Sequence, residues 1–403
     1  MRQTLVLLLV LAAPFCAQAQ QGAAGPKRLI VGFKADVDAA AQEDILKRFN
    51  LAGVEAIDGL NARVVEAPAS SFAPTAVRLM SDPAVYYVEE DFYTNWLKAA
   101  APAAFSQLPM PDLGRVMAEL PKLVQRNASQ GELPWGVVAV NAKGAWDRGV
   151  DGRGVRVAVI DTGIDCSHPD LAANCAKDGY NAVDSKKPPK DDHSHGTHVS
   201  GTIAAVKDGK GVVGIAPAAT LVPVKVLDAQ GGGSLTSIIK GLVWVGQHDI
   251  AVANMSLGSE TGSVFMRLAV TYARMKGVVV MAAAGNSGGS VGYPAAYPDA
   301  IAVAASDADG KIADFSSRGK QVAFIAPGVD VNSTIPGGGY ERYSGTSMAT
   351  PHMTGLAALA IQQGAKGKDA VLAALQHAAK PLPGLKPEEQ GVGMVDAGTL
   401  KGR

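Results

Sequence analysis

The chain has 403 residues, 37 basic and 37 acidic side chains, and 47% hydrophobic residues. This length is sufficient to bury a large core and to form more than one domain. The formal net charge of zero argues against nucleic acid as an obligate partner.

Residues 1–19 have the layout of a secretory signal peptide. Arg2 supplies a positive charge, Leu5 to Ala13 form a short apolar run, and Ala17-Gln18-Ala19 is a small-x-small cleavage site. The apolar run is too short to span a membrane. We therefore expect an exported protein, extracellular or periplasmic, without a membrane anchor.

Residues 27–96 are predicted to form a small α+β domain. Strands are predicted at Arg28 to Phe33, Ala62 to Ala67 and Val85 to Val88, with room for another near Val54, and helices at Ala39 to Phe49 and Thr75 to Met80. This order predicts a two-layer, ferredoxin-like unit. Residues 97–131 follow as a linker with a helical-looking stretch at Leu113 to Val124.

From residue 132 to residue 403, short apolar strands alternate with helices. The strands are predicted at Val155 to Ile160, Leu221 to Val226, Val252 to Met255, Val278 to Ala282 and Ile301 to Val303. The helices are predicted at His198 to Val206, Leu235 to Gln247 and Val264 to Lys276. This alternation indicates an α/β fold with a parallel sheet covered by helices on both faces, whose ligands gather at the carboxyl ends of the strands.

Cysteine usage predicts one disulfide bond. Cys16 would leave with the signal peptide, and Cys166 and Cys175 would remain as a pair in an oxidising compartment. The alternative is a pair of reduced thiols. In an exported chain we expect the bond.

Three side chains could form a catalytic triad. Asp161 ends an apolar strand, His195 begins the stretch His195-Gly196-Thr197-His198, and Ser347 precedes a helix of small residues. A serine nucleophile needs a base, a carboxylate that orients the base, and donors for the oxyanion. Asn286, which follows another apolar strand, can supply such a donor.

Each motif also has a simpler or competing interpretation. A serine at a helix start is most often a cap, and Asp161-Thr162-Gly163 suits a turn. The histidines from His193 to His198, beside two aspartates, have a spacing that a zinc hydrolase could use. Zinc ligation would leave Ser347 and Asn286 without roles. A secreted binding protein without turnover is a third hypothesis, although no member of the triad is missing.

A dinucleotide-binding enzyme is disfavoured by the order of its motif. Gly152-Arg153-Gly154 precedes the first strand, whereas a phosphate-binding loop needs its glycines between the strand and the following helix.

Five sequence blocks resemble the subtilisin-like serine proteases, in that family's order. They are Asp161-Thr162-Gly163, His195-Gly196-Thr197-His198-Val199-Ser200-Gly201-Thr202, Asn254-Met255-Ser256-Leu257-Gly258, Ala284-Gly285-Asn286 and Gly345-Thr346-Ser347-Met348-Ala349-Thr350-Pro351-His352. The likeness runs from about Trp135 to Ala397, and residues 27–96 resemble the family's propeptide. It implies a self-processed serine endopeptidase that cleaves proteins and peptides, inhibited by its own propeptide and without a catalytic cofactor. We expect a monomer that binds neither nucleic acid nor membrane.

The resemblance also implies roles for individual residues. Ser347 would be the nucleophile, His195 the general base and Asp161 the carboxylate that orients it. Asn286 and the backbone N–H of Ser347 would form the oxyanion hole. The implied substrate-binding residues are Leu227, Gly231, Gly232, Gly233, Leu235, Ile238, Ser256, Leu257, Gly258 and Gly292.

An extended peptide would pair with two edges of this cleft as an added strand, which suits broad specificity. No acidic residue is expected at the bottom of the primary pocket, where Gly292 lies, so we predict large apolar residues before the scissile bond. The resemblance further implies a structural calcium ion. Its ligands would be Asp170, Val206, Asp208, Lys210 and Val212.

Overall fold

A computed structural model describes residues 26–97 and 133–401. The predicted signal peptide, Cys16 and the helical-looking stretch at 113–124 lie outside the described residues. Within the described ranges, no helix has both the length and the apolar character needed to cross a membrane.

The first unit is a four-stranded antiparallel sheet with two helices. Its elements are β1 (Lys27–Phe33), α1 (Ala39–Arg48), β2 (Gly53–Ile57), β3 (Ala62–Ala67), α2 (Phe72–Met80) and β4 (Val85–Glu90). The strand order is β2-β3-β1-β4. This is the predicted two-layer arrangement, and β2 is the additional strand expected near Val54.

Strand β1 is buried on both faces because successive side chains point to opposite sides of a sheet. Leu29, Val31 and Phe33 share an apolar cluster with side chains of α1 and α2. Ile30 belongs to a cluster that continues into the second unit. One face of the first unit's sheet therefore packs against its own two helices, and the other face packs against the second unit.

The second unit is built on a seven-stranded parallel sheet. Its strands are β6 (Arg156–Asp161), β7 (Tyr180–Asn181), β8 (Thr220–Lys225), β10 (Val252–Met255), β11 (Val279–Ala283), β12 (Ala300–Ser306) and β13 (Val322–Pro327). The short strands β5 (Tyr93–Asn95) and β9 (Gly232–Ser234) pair with each other outside this sheet. The order is β13-β12-β11-β10-β6-β8-β7, and every pairing is parallel. This confirms the predicted α/β parallel sheet.

Helices cover both faces of the sheet. They are α3 (Trp135–Ala139), α4 (Ala142–Trp146), α5 (His195–Ala204), α6 (Leu235–Gly246), α7 (Val264–Met275), α8 (Thr346–Gln362), α9 (Gly367–His377) and α10 (Pro387–Gln390). Along β6, Val157 and Val159 belong to the cluster that contains α5 and α8, whereas Ala158 and Ile160 belong to the cluster of α6 and α7. This double burial explains the continuous apolar sequence of the central strands.

Several elements differ from the sequence-based expectations. Helix α5 begins at His195, three residues earlier than predicted, because the Asp191 carboxylate accepts backbone N–H groups at its start. Helix α8 begins at Thr346, one residue before Ser347. The sequence interpretation also missed β13, α9 and the hairpin of β14 (Val331–Ile335) and β15 (Gly339–Tyr343).

The disulfide prediction is confirmed. Cys166 and Cys175 are joined, with their Cα atoms 5.7 Å apart, in the connection between β6 and β7. The bond therefore closes a short loop that starts five residues after Asp161, the last residue of β6.

Candidate active site

Asp161, His195 and Ser347 come from three separate elements of the second unit. Asp161 is the last residue of β6, His195 the first of α5 and Ser347 the second of α8. Both carboxylate oxygens of Asp161 lie within hydrogen-bond distance of His195 Nδ1, at 2.9 and 3.0 Å. Because a carboxylate only accepts, Nδ1 carries the proton and Nε2 is left as the basic nitrogen.

The charges around His195 make its ring more basic. Burial by itself lowers the pKa of the imidazole, but the negative charge of Asp161, its hydrogen bond and the charge of Asp191 outweigh burial, and the pKa is raised above its ordinary value of 6.5. Asp161 is fully buried and His195 is 8% exposed. The pair can therefore hold and release a proton.

Ser347 is hydrogen-bonded to Ser256, the residue that follows β10. Ser347 Oγ donates to the Ser256 carbonyl oxygen at 3.1 Å, and Ser256 Oγ donates to the Ser347 carbonyl oxygen at 2.7 Å. Among the described residues, no hydrogen bond joins Ser347 and His195. Hydrogen bonds of this kind are often long in free enzymes and tighten with substrate.

The bond from Ser256 to the Ser347 carbonyl has a cause in the sequence of α8. Pro351 lies inside this helix, four residues after Ser347, and has no backbone N–H to donate to that carbonyl. Ser256 supplies the missing donor. Ser256 is itself held by Asn254 Nδ2 at 2.9 Å, and Asn254 Oδ1 accepts from Thr354 of α8 at 2.8 Å.

Asn286 lies beside the start of α8. Its Oδ1 accepts hydrogen bonds from Thr346 N at 2.8 Å and from Thr346 Oγ1 at 2.9 Å. In the described part of the chain its amide nitrogen makes no hydrogen bond. Asn286 can therefore donate to an oxyanion formed next to Ser347, at the positive end of the helix.

Asp191 was not predicted as a site residue. This 4% exposed carboxylate accepts five hydrogen bonds from residues close in sequence to Asp161 or His195. They come from Thr162 Oγ1 (2.8 Å), His193 N (2.9 Å), Ser194 N (3.0 Å), Thr197 N (2.9 Å) and Thr197 Oγ1 (2.6 Å). Burial opposes ionisation, but the hydrogen bonds from Ser194, Thr197 and His193 outweigh it and lower the pKa of Asp191.

Lys225 is a buried cation at the same site, also absent from the sequence-based prediction. Its Nζ donates to the carbonyl oxygens of Thr162 at 2.7 Å and Leu227 at 2.8 Å, and to Asp192 Oδ1 at 2.6 Å. Lys225 pairs with Asp161 across β8 and β6. It therefore fixes the turns that follow both strands.

A cavity of about 400 Å³ opens beside Ser347. The predicted residues Leu257, Gly258 and Gly292 line it, as does Asn286. The exposed carboxylate of Glu260 also lines the cavity, and the sequence analysis did not anticipate it. Glu260 comes two residues after the predicted Ser256-Leu257-Gly258 edge, and this closeness in sequence could have indicated its place at the cavity.

The first unit extends a strand into this cleft. Strand β5 pairs antiparallel with β9, so that Thr94 lies opposite Gly233 and Asn95 opposite Gly232. Two residues further on, Leu97 lines the cavity that contains Ser347. The predicted glycine-rich edge at 231–233 thus receives an extended chain in the way a peptide would be bound.

The predicted apolar subsite residues are in the core of this region. Leu227, Leu235 and Ile238 are fully buried and share one apolar cluster with Leu257 and Trp96. Gly292, by contrast, lines the cavity beside Ser347 together with Leu257 and Gly258. The predicted substrate residues therefore lie in three places: at this cavity, at the edge that pairs with β5, and in the apolar cluster around Trp96.

Carboxylates of the first unit bind the amino ends of two helices beside the cleft. Glu89 accepts from Ser263 Oγ at 2.6 Å, Phe265 N at 3.0 Å and Val264 N at 3.2 Å at the start of α7. Asp91 Oδ1 accepts from Thr236 N at 2.8 Å at the start of α6. Negative side chains are favourable at helix amino ends, so these contacts anchor the first unit.

The zinc alternative requires the histidines near His195 to converge on one ion. Instead, His198 Nε2 lies 3.1 Å from the Val331 carbonyl oxygen and 3.0 Å from that of Glu341, and His195 Nδ1 binds Asp161. Within residues 26–97 and 133–401, no three His, Cys, Asp or Glu side chains form a group that could hold a metal.

The predicted calcium residues lie together near the disulfide loop. Val206 N donates to the Asp170 carbonyl oxygen at 2.8 Å, Val212 N to Asp170 Oδ2 at 2.9 Å, and Lys210 N to Asp208 Oδ1 at 3.0 Å. Asp170 is 2% exposed, and no basic side chain in the described ranges forms an ion pair with it. A buried carboxylate without a cation is costly, so Asp170 fits a calcium ligand.

The parallel sheet, the hydrogen-bonded Asp161–His195 pair and the strand seated in the cleft are the features of a serine endopeptidase that carries a prodomain. Comparison with known proteins agrees. The subtilase family model matches residues 152–393, and the fervidolysin N-terminal prodomain model matches residues 17–91. The chain belongs to the subtilase family.

Individual relatives are similar over most of their length. Subtilisin E of Bacillus subtilis (strain 168) is 40% identical over 357 residues, which cover 86% of this chain and 83% of the relative. Subtilisin Savinase of Lederbergia lenta is 49% identical over 232 residues, which cover 57% of this chain and 85% of the relative. The match to subtilisin E is long enough to include both units of this chain.

Proposed function

We propose that this protein is a secreted serine endopeptidase that uses Asp161, His195 and Ser347 as its catalytic triad. The observation that carries the proposal is the contact of both Asp161 carboxylate oxygens with His195 Nδ1, at 2.9 and 3.0 Å. This contact leaves Nε2 free to act as the base, and in the proposed triad Nε2 takes the proton of Ser347.

In the proposed reaction, Ser347 Oγ attacks the substrate carbonyl carbon while His195 Nε2 takes its proton. The amide nitrogen of Asn286 and the backbone N–H of Ser347 bind the resulting oxyanion. The imidazolium then gives its proton to the leaving amine, and the C–N bond breaks. Water hydrolyses the acyl-enzyme by the same steps, with His195 again acting as base.

The proposed specificity is broad, with a preference for large apolar residues before the scissile bond. The support is the cavity of about 400 Å³ beside Ser347, whose lining includes Leu257, Gly258 and Gly292 and, at an exposed position, Glu260. Backbone pairing of the type seen between β5 and β9 binds any extended sequence.

We further propose that the chain is exported and processes itself. The proposed boundaries are a signal peptide at 1–19, a propeptide at 27–96, a linker at 97–131 and a peptidase domain at 132–403. The propeptide would inhibit by filling the cleft, as β5 and Leu97 do. The protein would act as a monomer on protein and peptide substrates, without a nucleic acid or membrane partner.

The test compares the chain with its Ser347→Ala variant. We expect the parent to shorten to a start between about residues 97 and 132 and to cleave a chromogenic peptide with an aromatic residue before the scissile bond. The variant should remain long and inactive, since it lacks the nucleophilic oxygen. A variant that shortens and cleaves like the parent would remove Ser347 from the mechanism.

We also propose that Asp170, Asp208 and the carbonyl oxygens of Val206, Lys210 and Val212 hold a structural calcium ion. In the Ser347→Ala background, which prevents self-digestion, calcium should raise the thermal midpoint relative to a chelator. Asp170→Asn should abolish that difference. Asp44→Asn, at a carboxylate 78% exposed in the first unit, should keep it. An equal calcium response in all three proteins would exclude this site.

A further inference from the structure

The wall of the Ser347 cavity that carries Glu260 is held in place by the chain opposite it. Ser259 N donates to the Tyr293 carbonyl oxygen at 2.9 Å, and Tyr293 N donates to the Ser259 carbonyl oxygen at 2.8 Å. This antiparallel bridge joins two segments whose glycines, Gly258 and Gly292, both line the cavity. Glu260 follows the bridge directly, so its backbone has a fixed place at the cavity wall.

Glu260 gives the cavity a negative charge that no neighbour neutralises. Among the described residues that line the cavity, Glu260 is the one with a charged side chain. Its carboxylate is exposed, and within residues 26–97 and 133–401 it makes neither a hydrogen bond nor an ion pair. The carboxylate is therefore available to a cation that enters the cavity.

The basic side chain that follows the cavity lining in sequence has partners of its own. Arg318 comes directly after Ser317, which lines the cavity. Its Nε lies 3.4 Å from Glu389 Oε1, and its Nη1 donates to the Ser316 carbonyl oxygen at 3.2 Å. Arg318 is thus held by these groups and does not pair with Glu260.

A lysine or arginine side chain combines the two properties that this cavity offers to a ligand. Its methylene groups can pack on neutral walls such as Leu257, while its charged end reaches a carboxylate. A negative charge in a cleft with low-dielectric walls also raises the local concentration of cations. The cavity therefore favours a basic side chain over a neutral one of the same shape, and it disfavours an acidic one.

We propose that Glu260 is a specificity-determining residue, which makes the cavity beside Ser347 select lysine or arginine over neutral side chains of similar length directly before the scissile bond. The inference rests on the proposed peptidase function. It deepens that function because it adds a charge preference to the apolar preference, which the methylene groups of a basic side chain also satisfy.

The test uses the active protease and chromogenic peptides that differ only in the residue before the scissile bond, which is lysine, norleucine or glutamate. Norleucine has the carbon chain of lysine without the ammonium group. We expect Glu260→Gln to lower the lysine-to-norleucine ratio of kcat/KM about two- to fivefold, the range for an ion pair open to solvent, and to raise the glutamate-to-norleucine ratio. The lysine-to-norleucine ratio of the parent should also decrease between about 10 mM and about 1 M salt, because salt screens the attraction.

The matched control is Asp249→Asn, which removes an exposed carboxylate that does not line the cavity and should keep the parental ratios. Equal lysine-to-norleucine ratios in the parent and Glu260→Gln, whatever their absolute rates, would overturn the role of Glu260 and leave the peptidase function standing. The same decrease in both variants would overturn it as well, since the effect would then come from the net charge. If the parent cleaves none of the three peptides, the proposed function fails together with the inference.

Discussion

At the residue scale, two buried carboxylates serve His195 in different ways. Asp161 contacts the imidazole ring directly, whereas Asp191 binds the backbone and side chains on either side of it. Both charges raise the pKa of the ring. Asp191 is therefore a positioning residue that acts on the base through the polypeptide and through its field, without touching the reacting atoms.

Replacing Asp191 with asparagine should shift the pH profile. A general base works when it is neutral, so kcat/KM rises as pH increases through the pKa of His195. Loss of the Asp191 charge lowers that pKa, and the acid limb of the profile should move to lower pH while kcat decreases. The measurement is kcat/KM from pH 5 to 9 for the parent and Asp191→Asn.

The control is Asp184→Asn, an exposed carboxylate in the same connection between β7 and α5, which should leave the limb in place. A decrease in kcat without any movement of the acid limb would mean that Asp191 acts only on the fold of the loop.

The sequence pointed to the candidate catalytic residues more readily than to the residues that support them. Asp161, His195, Asn286 and Ser347 follow strands or begin helices, which the local pattern indicates. Asp191 was seen only as a neighbour of the histidines, because its hydrogen bond to Thr162 joins positions 29 residues apart. Contacts of this kind depend on how two connections meet in space, and no spacing along the chain encodes them.

At the element scale, the connection between β6 and β7 carries the disulfide bond and Asp170. Between Cys166 and Cys175, His168 Nε2 lies 3.0 Å from the Gly339 carbonyl oxygen, and Asp170 Oδ2 accepts from the Tyr340 hydroxyl at 3.0 Å. The loop is thus fastened to the hairpin of β14 and β15 as well as by the covalent bond.

Removing the disulfide should destabilise the protein moderately. For a loop this short, the chain-entropy model gives about 2 to 3 kcal/mol. We expect the double variant Cys166→Ser/Cys175→Ser, made in the Ser347→Ala background, to lose that much free energy of unfolding in urea denaturation. A reductant should lower the midpoint of the parent and leave the double variant unchanged. An equal response of the two proteins would contradict a stabilising role.

Element type was predicted more reliably than element boundaries. The five predicted strands of the parallel sheet and helices α6 and α7 lie within one residue of their predicted bounds, except that β12 ends three residues later than predicted. The start of α5 was wrong because a carboxylate outside the helix caps it. Strand β13, with the sequence VAFIAP, was missed since two alanines and a proline dilute its strand signal.

At the scale of the whole molecule, two of the buried histidines of the second unit, His198 and His352, have strongly lowered pKa values. Burial lowers the pKa of His198 to about 3 and that of His352 to about 4. Both values lie below the ordinary histidine pKa of about 6.5. Between about pH 6.5 and 4, the unfolded chain therefore binds protons at these two histidines that the native protein does not bind. Their contribution to the free energy of unfolding is fully present above pH 6.5 and is lost as the pH falls.

We expect protonation of His198 and of His352 each to lower the free energy of unfolding by about 1.4 kcal/mol per pH unit below pH 6.5. In the Ser347→Ala background, His352→Gln should reduce the pH dependence of the urea midpoint between pH 6 and 4.5, even though it lowers the midpoint at pH 7. The exposed His377 offers a control, since His377→Gln should retain the parental slope. An unchanged slope in His352→Gln would show that this residue is not the source of acid sensitivity.

Pro351 in α8 is the reason that the proposed nucleophile is connected to the segment that binds a polypeptide in the cleft. Because Pro351 cannot donate to the Ser347 carbonyl, that carbonyl is anchored to Ser256, while Gly258, two residues along the same segment, binds the carbonyl of the chain in the cleft. The segment that binds a polypeptide in the cleft and the helix that carries the proposed nucleophile are therefore joined by direct hydrogen bonds. A substrate that distorts this edge of the cleft would shift Ser347 at the same time.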